Sequence, residues 1–213
     1  MGALSGKRAV VTEGAYAADL VAALRAHDAD VARLQAPDGL DEGIDIVVTC
    51  PSLATQHPGG DFDTILASVA AAERWTTAAT RSMSARNSGA IVHVTGLSGL
   101  GGWPGWQASG AAFAAIHNLV RSHAVSLAPQ GVRINALVPG VDAKMARTIA
   151  EAEGVALDTL RARIPLGRFM DAQALANALV YLVHDSASYV TGEVLAVDGG
   201  WDMWGRLYAV APK

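Results

Sequence analysis

Short runs of consecutive apolar, often β-branched residues alternate along this chain with longer stretches whose apolar positions recur every three to four residues. The first kind predicts strands buried on both faces, and the second predicts amphipathic helices that cover them. Strands are predicted at 8–12, 31–34 and 45–49, with a helix over 17–27 that presents Leu20, Val21 and Leu24 on one face. Pro37-Asp-Gly39 ends the second strand, and the unbroken apolarity of 45–49 marks a central one. A loop over 51–60 precedes a long helix that starts at the capping residue Asp61 and runs to about Arg86, where Asn87-Ser-Gly89 stops it.

Further strands are predicted at 90–95, 132–137 and 193–197. Helices fall at about 106–128, at 143–153 and 158–163, and from the cap Asp171 to His184. Those at 143–153 and 158–163 are expected to face solvent. Strand and helix alternate throughout, the pattern of an α/β, doubly wound parallel sheet. No repeat or low-complexity linker interrupts it, so residues 1–213 read as one domain.

Composition narrows the function by exclusion. Half of the residues are hydrophobic (51%) and 17% are charged, which fits a packed core and not a disordered chain. A net charge of −4 without a Lys/Arg cluster disfavours nucleic acid and anionic membranes as partners. Cys50 is the only cysteine, which rules out an internal disulfide and fits a reducing compartment. No signal-like segment or membrane-spanning run stands out, so a soluble cytoplasmic protein is expected.

Arg133-Ile-Asn-Ala-Leu-Val-Pro-Gly140 and Tyr189-Val-Thr-Gly-Glu-Val-Leu-Ala-Val-Asp-Gly-Gly200 resemble the short-chain dehydrogenase/reductase family, as does Ile164-Pro-Leu-Gly-Arg168. The resemblance covers nearly the whole chain and is strongest from Ala90 to Trp201. It implies a Rossmann-like fold. In the family a further helix and edge strand lie between the second strand and the central one and help wall the adenine pocket. Only residues 35–44 separate those strands here, so that unit is expected to be missing.

The resemblance also shows what has changed. Relatives bind the dinucleotide phosphates on Thr-Gly-x-x-x-Gly-x-Gly, where glycines admit the phosphates to backbone N–H groups at a helix N-terminus. This chain reads Thr12-Glu-Gly-Ala-Tyr-Ala-Ala-Asp19. By direct count the glycines become Glu13, Ala17 and Asp19; a turn two residues shorter puts the last two at Ala15 and Ala17. Gly14 alone remains, and Tyr16 is expected to take up phosphate space. A carboxylate within about 4 Å of a phosphate oxygen costs about 4 kcal/mol at an effective dielectric of about 20, roughly a thousandfold in affinity. In the other reading, Glu13 and Asp19 face solvent and favour the helix dipole. Leu34-Gln35 also lacks the acid that grips a ribose hydroxyl. No cofactor is expected in this chain.

The family's catalytic Tyr, Lys, Ser and Asn fall on Trp106, Gly110, Gly96 (beside Thr95) and Val69, and its Asn-Asn-Ala-Gly turn reads Thr49-Cys-Pro-Ser52. Indole is not a useful acid and glycine carries no charge. The loop from Gly96 to Trp106 is also short, which misplaces Ser98. Other chemistry is sparse. Cys50 has no adjacent base and reads as an inert thiol, and His93 reads as a satisfied core histidine. His117 and His123 do not share a helix face, and no metal-ligand spacing occurs. A remnant pocket wall could draw on Cys50, Thr95, Trp103, Trp106, Pro139 and Gly140.

The resulting expectation is a catalytically silent subunit. It would pair with a competent paralogous short-chain dehydrogenase in a hetero-oligomer, through helices 61–86 and 106–127 and a docked C-terminal tail, 201–213. NAD(P) would then be held by the partner. Two alternatives stay open: a cofactor-independent lyase, isomerase or dehalogenase-like enzyme using a Trp-lined cleft, and an atypical NAD(P)-dependent oxidoreductase.

Overall fold

Strand β1 (Arg8–Thr12) is interior because alternate side chains meet different helix layers: Ala9 and Val11 enter one core and Val10 the other. The computed structural model describes residues 2–51 and 58–207. Its sheet has six strands, all parallel: β1, β2 (Asp30–Leu34), β3 (Ile46–Thr49), β4 (Gly89–Val94), β5 (Val132–Pro139) and β6 (Val194–Val197), in the order β2-β1-β3-β4-β5-β6. Register places Val10 beside Val47, Val47 beside Ile91 and Ile91 beside Ile134, a buried row across the sheet.

One face is covered by α1 (Ala17–Ala26) and α6 (Ala172–Val183), whose Leu20, Leu24, Leu175 and Leu179 are fully buried. The other is covered by α2 (Phe62–Ser84) and α3 (Gln107–Leu127), through Trp75, Met83, Phe113 and Ile116. At about 1.5–3 kcal/mol per large apolar side chain, these two layers are the main source of stability. Asp171 caps α6 by accepting from the Ala174 N–H at 2.7 Å.

Three features bear on the expectations. Between β2 and β3 lies only a 3-10 turn, Pro37–Gly39. The further helix and strand are absent, and β2 is the sheet edge. Exposed Asp30 and Arg33 on that edge discourage pairing with another chain. Secondly, α4 (Ala143–Glu153) and α5 (Leu157–Ala162) are not simply solvent-facing. They bury Ala146, Ile149 and Leu160 with Trp106, Val138 and Trp201 in a third cluster. Thirdly, the tail begins as helix α7 (Trp201–Leu207), with Trp201 buried in that cluster, while 208–213 and the loop segment 52–57 lie outside the described residues. Among the described residues no helix is long and apolar enough to cross a membrane.

Gly131, entering β5, holds φ 67, and an added Cβ would lie 2.1 Å from the Asn87 carbonyl oxygen. Gly131→Ala is therefore expected to cost about 2–3 kcal/mol through strain and clash, read as a lower urea midpoint at unchanged m-value. A change below about 0.5 kcal/mol, the usual range for neutral surface substitutions, would contradict this packing.

Candidate functional site

The strand order reverses between β1 and β3, and in open α/β sheets the crevice outside the strand ends at such a switch is where ligands bind. Here the turns that follow the two strands are bonded together. The Cys50 N–H donates to Thr12 Oγ1 at 2.8 Å, and the Ala15 N–H donates to the Pro51 carbonyl at 2.9 Å. Gly14 permits this approach: its φ is 149, and a Cβ there would lie 2.5 Å from the Pro51 oxygen. A cavity of about 550 Å³ opens beside it, lined among others by Thr12, Glu13, Gly14, Gln35, Thr49 and Cys50. A second, of about 250 Å³, lies on the other side of Gly14 between the first turns of α1 and α4, with Tyr16, Asp19, Asp142 and Lys144 in its wall.

Charges here differ from a bare pair of repelling carboxylates. Glu13 is ion-paired with Arg33 from β2. Both side chains are over a third exposed, so the pair adds little stability, but it neutralises the carboxylate beside the turn. Asp19 sits exposed in the first turn of α1, where the dipole favours it. No side chain caps that helix. Ala17 is buried within α1, and Tyr16 precedes it at φ 67. Burial first, and then the Asp142 carboxylate, raise the Tyr16 phenol well above its ordinary pKa, so it stays protonated.

Two buried histidines, bonded to three threonines, lie under the crevice. Thr49 Oγ1 is 2.6 Å from His93 Nδ1, and Thr76 Oγ1 is 2.9 Å from His93 Nε2. Thr76 gives its proton to the Ala72 carbonyl at 2.9 Å. It must therefore accept from Nε2–H, which leaves Nδ1 to accept from Thr49. Thr95 Oγ1 lies 2.9 Å from His117 Nε2. Burial, reinforced by the charge of His123 for His93 and of Arg121 for His117, pushes both imidazoles down to about 4. Cys50 is pushed up to about 12, chiefly by burial, and is a neutral thiol at physiological pH.

The positions matched to the family's catalytic set are filled by packing. A Cβ at Gly96 would lie 2.6 Å from the Phe113 ring, and one at Gly110 would lie 2.9 Å from the Ser98 carbonyl oxygen. Trp106, only 7% exposed, precedes α3 and meets Trp103 edge-on at 6.1 Å. Val69 is half-buried beside Ala108 and Ala112.

The residues read as a remnant pocket wall have different surroundings. Cys50 lines the larger cavity, Thr95 is wholly buried against His117, and Trp103 stacks on Trp201 at 5.5 Å. Arg163 covers Trp201 at 4.5 Å. Pro139 ends β5, and Gly140 is held against the β6 end by its N–H to the Val197 carbonyl, 2.9 Å. Sequence reasoning missed Arg33, Asp142 and Lys144. Asp142 carried a usable signal, a capping residue just after a strand end and before a helix. Among the described residues no His/Cys/Asp/Glu group could hold a metal.

Residues 25–202 match a family model described as enoyl-(acyl carrier protein) reductase. The chain belongs to this family, one of the short-chain dehydrogenase/reductases. It is similar to cis-4-hydroxycyclohexanecarboxylate dehydrogenase of Sinomonas cyclohexanicum, 41% identical over 124 residues, 58% of this chain and 49% of that protein. Galactitol 2-dehydrogenase (L-tagatose-forming) of Cereibacter sphaeroides is 39% identical over 127 residues, 58% and 50% of the two chains. The chain spans about half the length of these curated relatives. A solved structure of a candidate NAD(P)-dependent gluconate 5-dehydrogenase from Beutenbergia cavernae, with NADP bound at low occupancy, superposes with a TM-score of 0.77. It is 25% identical and matches 93% of this chain and 97% of that one.

These matches overturn the expectation of a silent, cofactor-free subunit in a hetero-oligomer. The cofactor-free part of that expectation rested on Glu13 repelling phosphate and on lost glycines, and the silent part on Trp106, Gly110, Gly96 and Val69 standing at the family's catalytic positions. Instead Arg33 neutralises Glu13, and Gly14, one position after the family's first glycine, allows the close approach of the two turns.

The buried histidines set a pH dependence. Folded values near 4 lie below the ordinary 6.5, so the unfolded chain binds more protons between them. Stability should be full above about pH 6.5 and fall progressively towards about pH 4. His117→Gln, which keeps a hydrogen-bonding side chain without the titration, should give a shallower fall in urea midpoint across that window. An equally steep fall would show that His117 is not one of the groups responsible.

Proposed function

We propose that this chain binds NAD(P) along the carboxyl ends of its strands and is an atypical NAD(P)-dependent oxidoreductase. The observation that carries this is the cradle at Gly14: two turns held together at the switch point, beside a helix whose first turn no side chain caps. Together with membership of a dehydrogenase family, it supplies the backbone approach and the helix dipole that phosphates need. Bound there, the group would supply hydride exchange at its nicotinamide ring.

The chain's own residues divide the remaining work. Gly14 and the first turn of α1 would hold the phosphates. Gln35, at the end of β2, would meet the adenosine side, which is more open than in relatives because the helix–strand unit is absent. Arg33 stands beside that opening, and without an acid at Gln35 the site suits a ribose phosphate as readily as a free hydroxyl. Thr49 offers the cavity a hydroxyl whose orientation the neutral His93 holds.

The site is atypical because no phenol–ammonium pair stands at Trp106 and Gly110, both closed by packing. General acid–base catalysis typically contributes about 10²–10⁴-fold, so turnover should be slower than in a relative with that pair by roughly this factor. The relatives' names point to ring or chain secondary alcohols and the matching ketones as the substrates to try.

Titration of the purified protein with NADPH and NADH by calorimetry should give saturable binding with a micromolar dissociation constant. No binding at millimolar concentrations of either would overturn the proposal.

A further inference from the structure

Thr12 and Thr49 end adjacent strands. The register sets Val11 beside Val48, so the next residues, Thr12 and Thr49, follow side by side on backbones about 5 Å apart. Val10 and Val47, two residues earlier and so on the same face, enter the core under α2 and α3. Both threonines are buried, at 6% and 8% exposure, yet both line the cavity of about 550 Å³. Ala71, Ala72 and Trp75 of α2, with Phe113 and Ile116 of α3, give the same cavity an apolar wall.

The two hydroxyls differ in what they have left to offer. Thr76 gives its proton to the Ala72 carbonyl and therefore accepts from His93 Nε2–H. That leaves His93 Nδ1 to accept the Thr49 proton across 2.6 Å. Thr49 Oγ1 then has lone pairs, and no proton, for anything in the cavity. Burial keeps His93 neutral, with its pKa pushed down to about 4, so this polarity holds at physiological pH. Thr12 is the reverse case. Its Oγ1 accepts from the Cys50 N–H at 2.8 Å, and no acceptor takes its own proton among the described residues. A fixed acceptor thus stands beside a free donor, both sunk in an apolar wall, where an unmet hydrogen bond is costly.

We propose that Thr12 and Thr49 form a binding subsite for a ligand group that donates a hydrogen bond, a hydroxyl or an amide N–H on an apolar body. Thr49 is its acceptor, and His93 and Thr76 are the positioning residues behind Thr49. A group that only accepts, such as a ketone, can use Thr12 but sets its oxygen against the Thr49 lone pairs. The cavity wall includes neither Trp106 nor Gly110, so the subsite is distinct from the family's catalytic positions, and it stands whether or not a dinucleotide binds. One ordinary buried hydrogen bond should favour the donor by about tenfold.

NMR titration of the full chain with cyclohexanol, cyclohexanecarboxamide and cyclohexanone, which share an apolar ring, tests this. At least one of the two donors should bind about tenfold tighter than the ketone, with shifts centred on Thr49 and residues 71–75, and which one does so identifies the group that is read. Thr49→Val, similar in shape but without the hydroxyl, should lose that preference. In protein with isotope-labelled histidine, His93 should carry its proton on Nε2 and leave Nδ1 bare. If Thr49→Val does not fold, the histidine signals and the wild-type preference decide the matter. A proton on His93 Nδ1, a ketone bound as tightly as both donors, or no binding of any probe at tens of millimolar would each overturn the subsite.

Discussion

Two hydrogen bonds from backbone N–H groups and one missing side chain determine the shape of the crevice at the switch point. The Cys50 N–H on Thr12 Oγ1 and the Ala15 N–H on the Pro51 carbonyl hold the turns after β1 and β3 in contact. Gly14 makes the contact possible, since any Cβ there would overlap the Pro51 oxygen. The position of α1, the crevice at the switch point and the separation of the two flanking cavities all follow. A net value of about 0.5–1.5 kcal/mol for an ordinary hydrogen bond makes neither bond large. Their effect comes from location, because they connect the two strands between which the sheet order reverses.

The opposite wall of the crevice shows a coupled set of replacements. Gly96, Gly99 and Gly110 lie where side chains would collide with Phe113, His117 and the Ser98 carbonyl. The turn Leu97–Gly99 has settled onto α3, and His117 fills the space beneath and bonds Thr95. Restoring an ammonium at Gly110 alone would therefore require the turn to move. Interiors are close-packed, so these positions change as a group. The same holds for Trp103, which meets Trp106 edge-on and stacks on Trp201, itself covered by Arg163, and these contacts consolidate the α4–α5 layer.

Most of the fold was legible because its signals are local. Apolar runs marked β1, β3, β4 and β5, Asp171 marked the start of α6, and the short 35–44 segment announced the missing helix and strand. What failed were readings that depend on partners distant in sequence. Glu13 looked like an uncompensated charge, but Arg33 lies 20 residues away on the neighbouring strand. The stacking of Trp103 on Trp201, from the far end of the chain, had no local signal either. The solvent-facing reading of α4 and α5 was incomplete, because Ile149 and Leu160 bury against residues that only the fold brings near. Loss of individual glycines was legible. Whether a phosphate could still approach was not, because that depends on how β1 and β3 end relative to one another.

Hydrogen–deuterium exchange of the protein with and without saturating NADPH tests the central claim most directly, since it reports where the ligand sits as well as whether it binds. The account predicts slowed exchange in segments 12–20 and 47–51, at the turns on either side of Gly14, with little change at the opposite end of the sheet near Gly131 and Val132. Unchanged exchange at 12–20, or protection confined to any other surface, would contradict it.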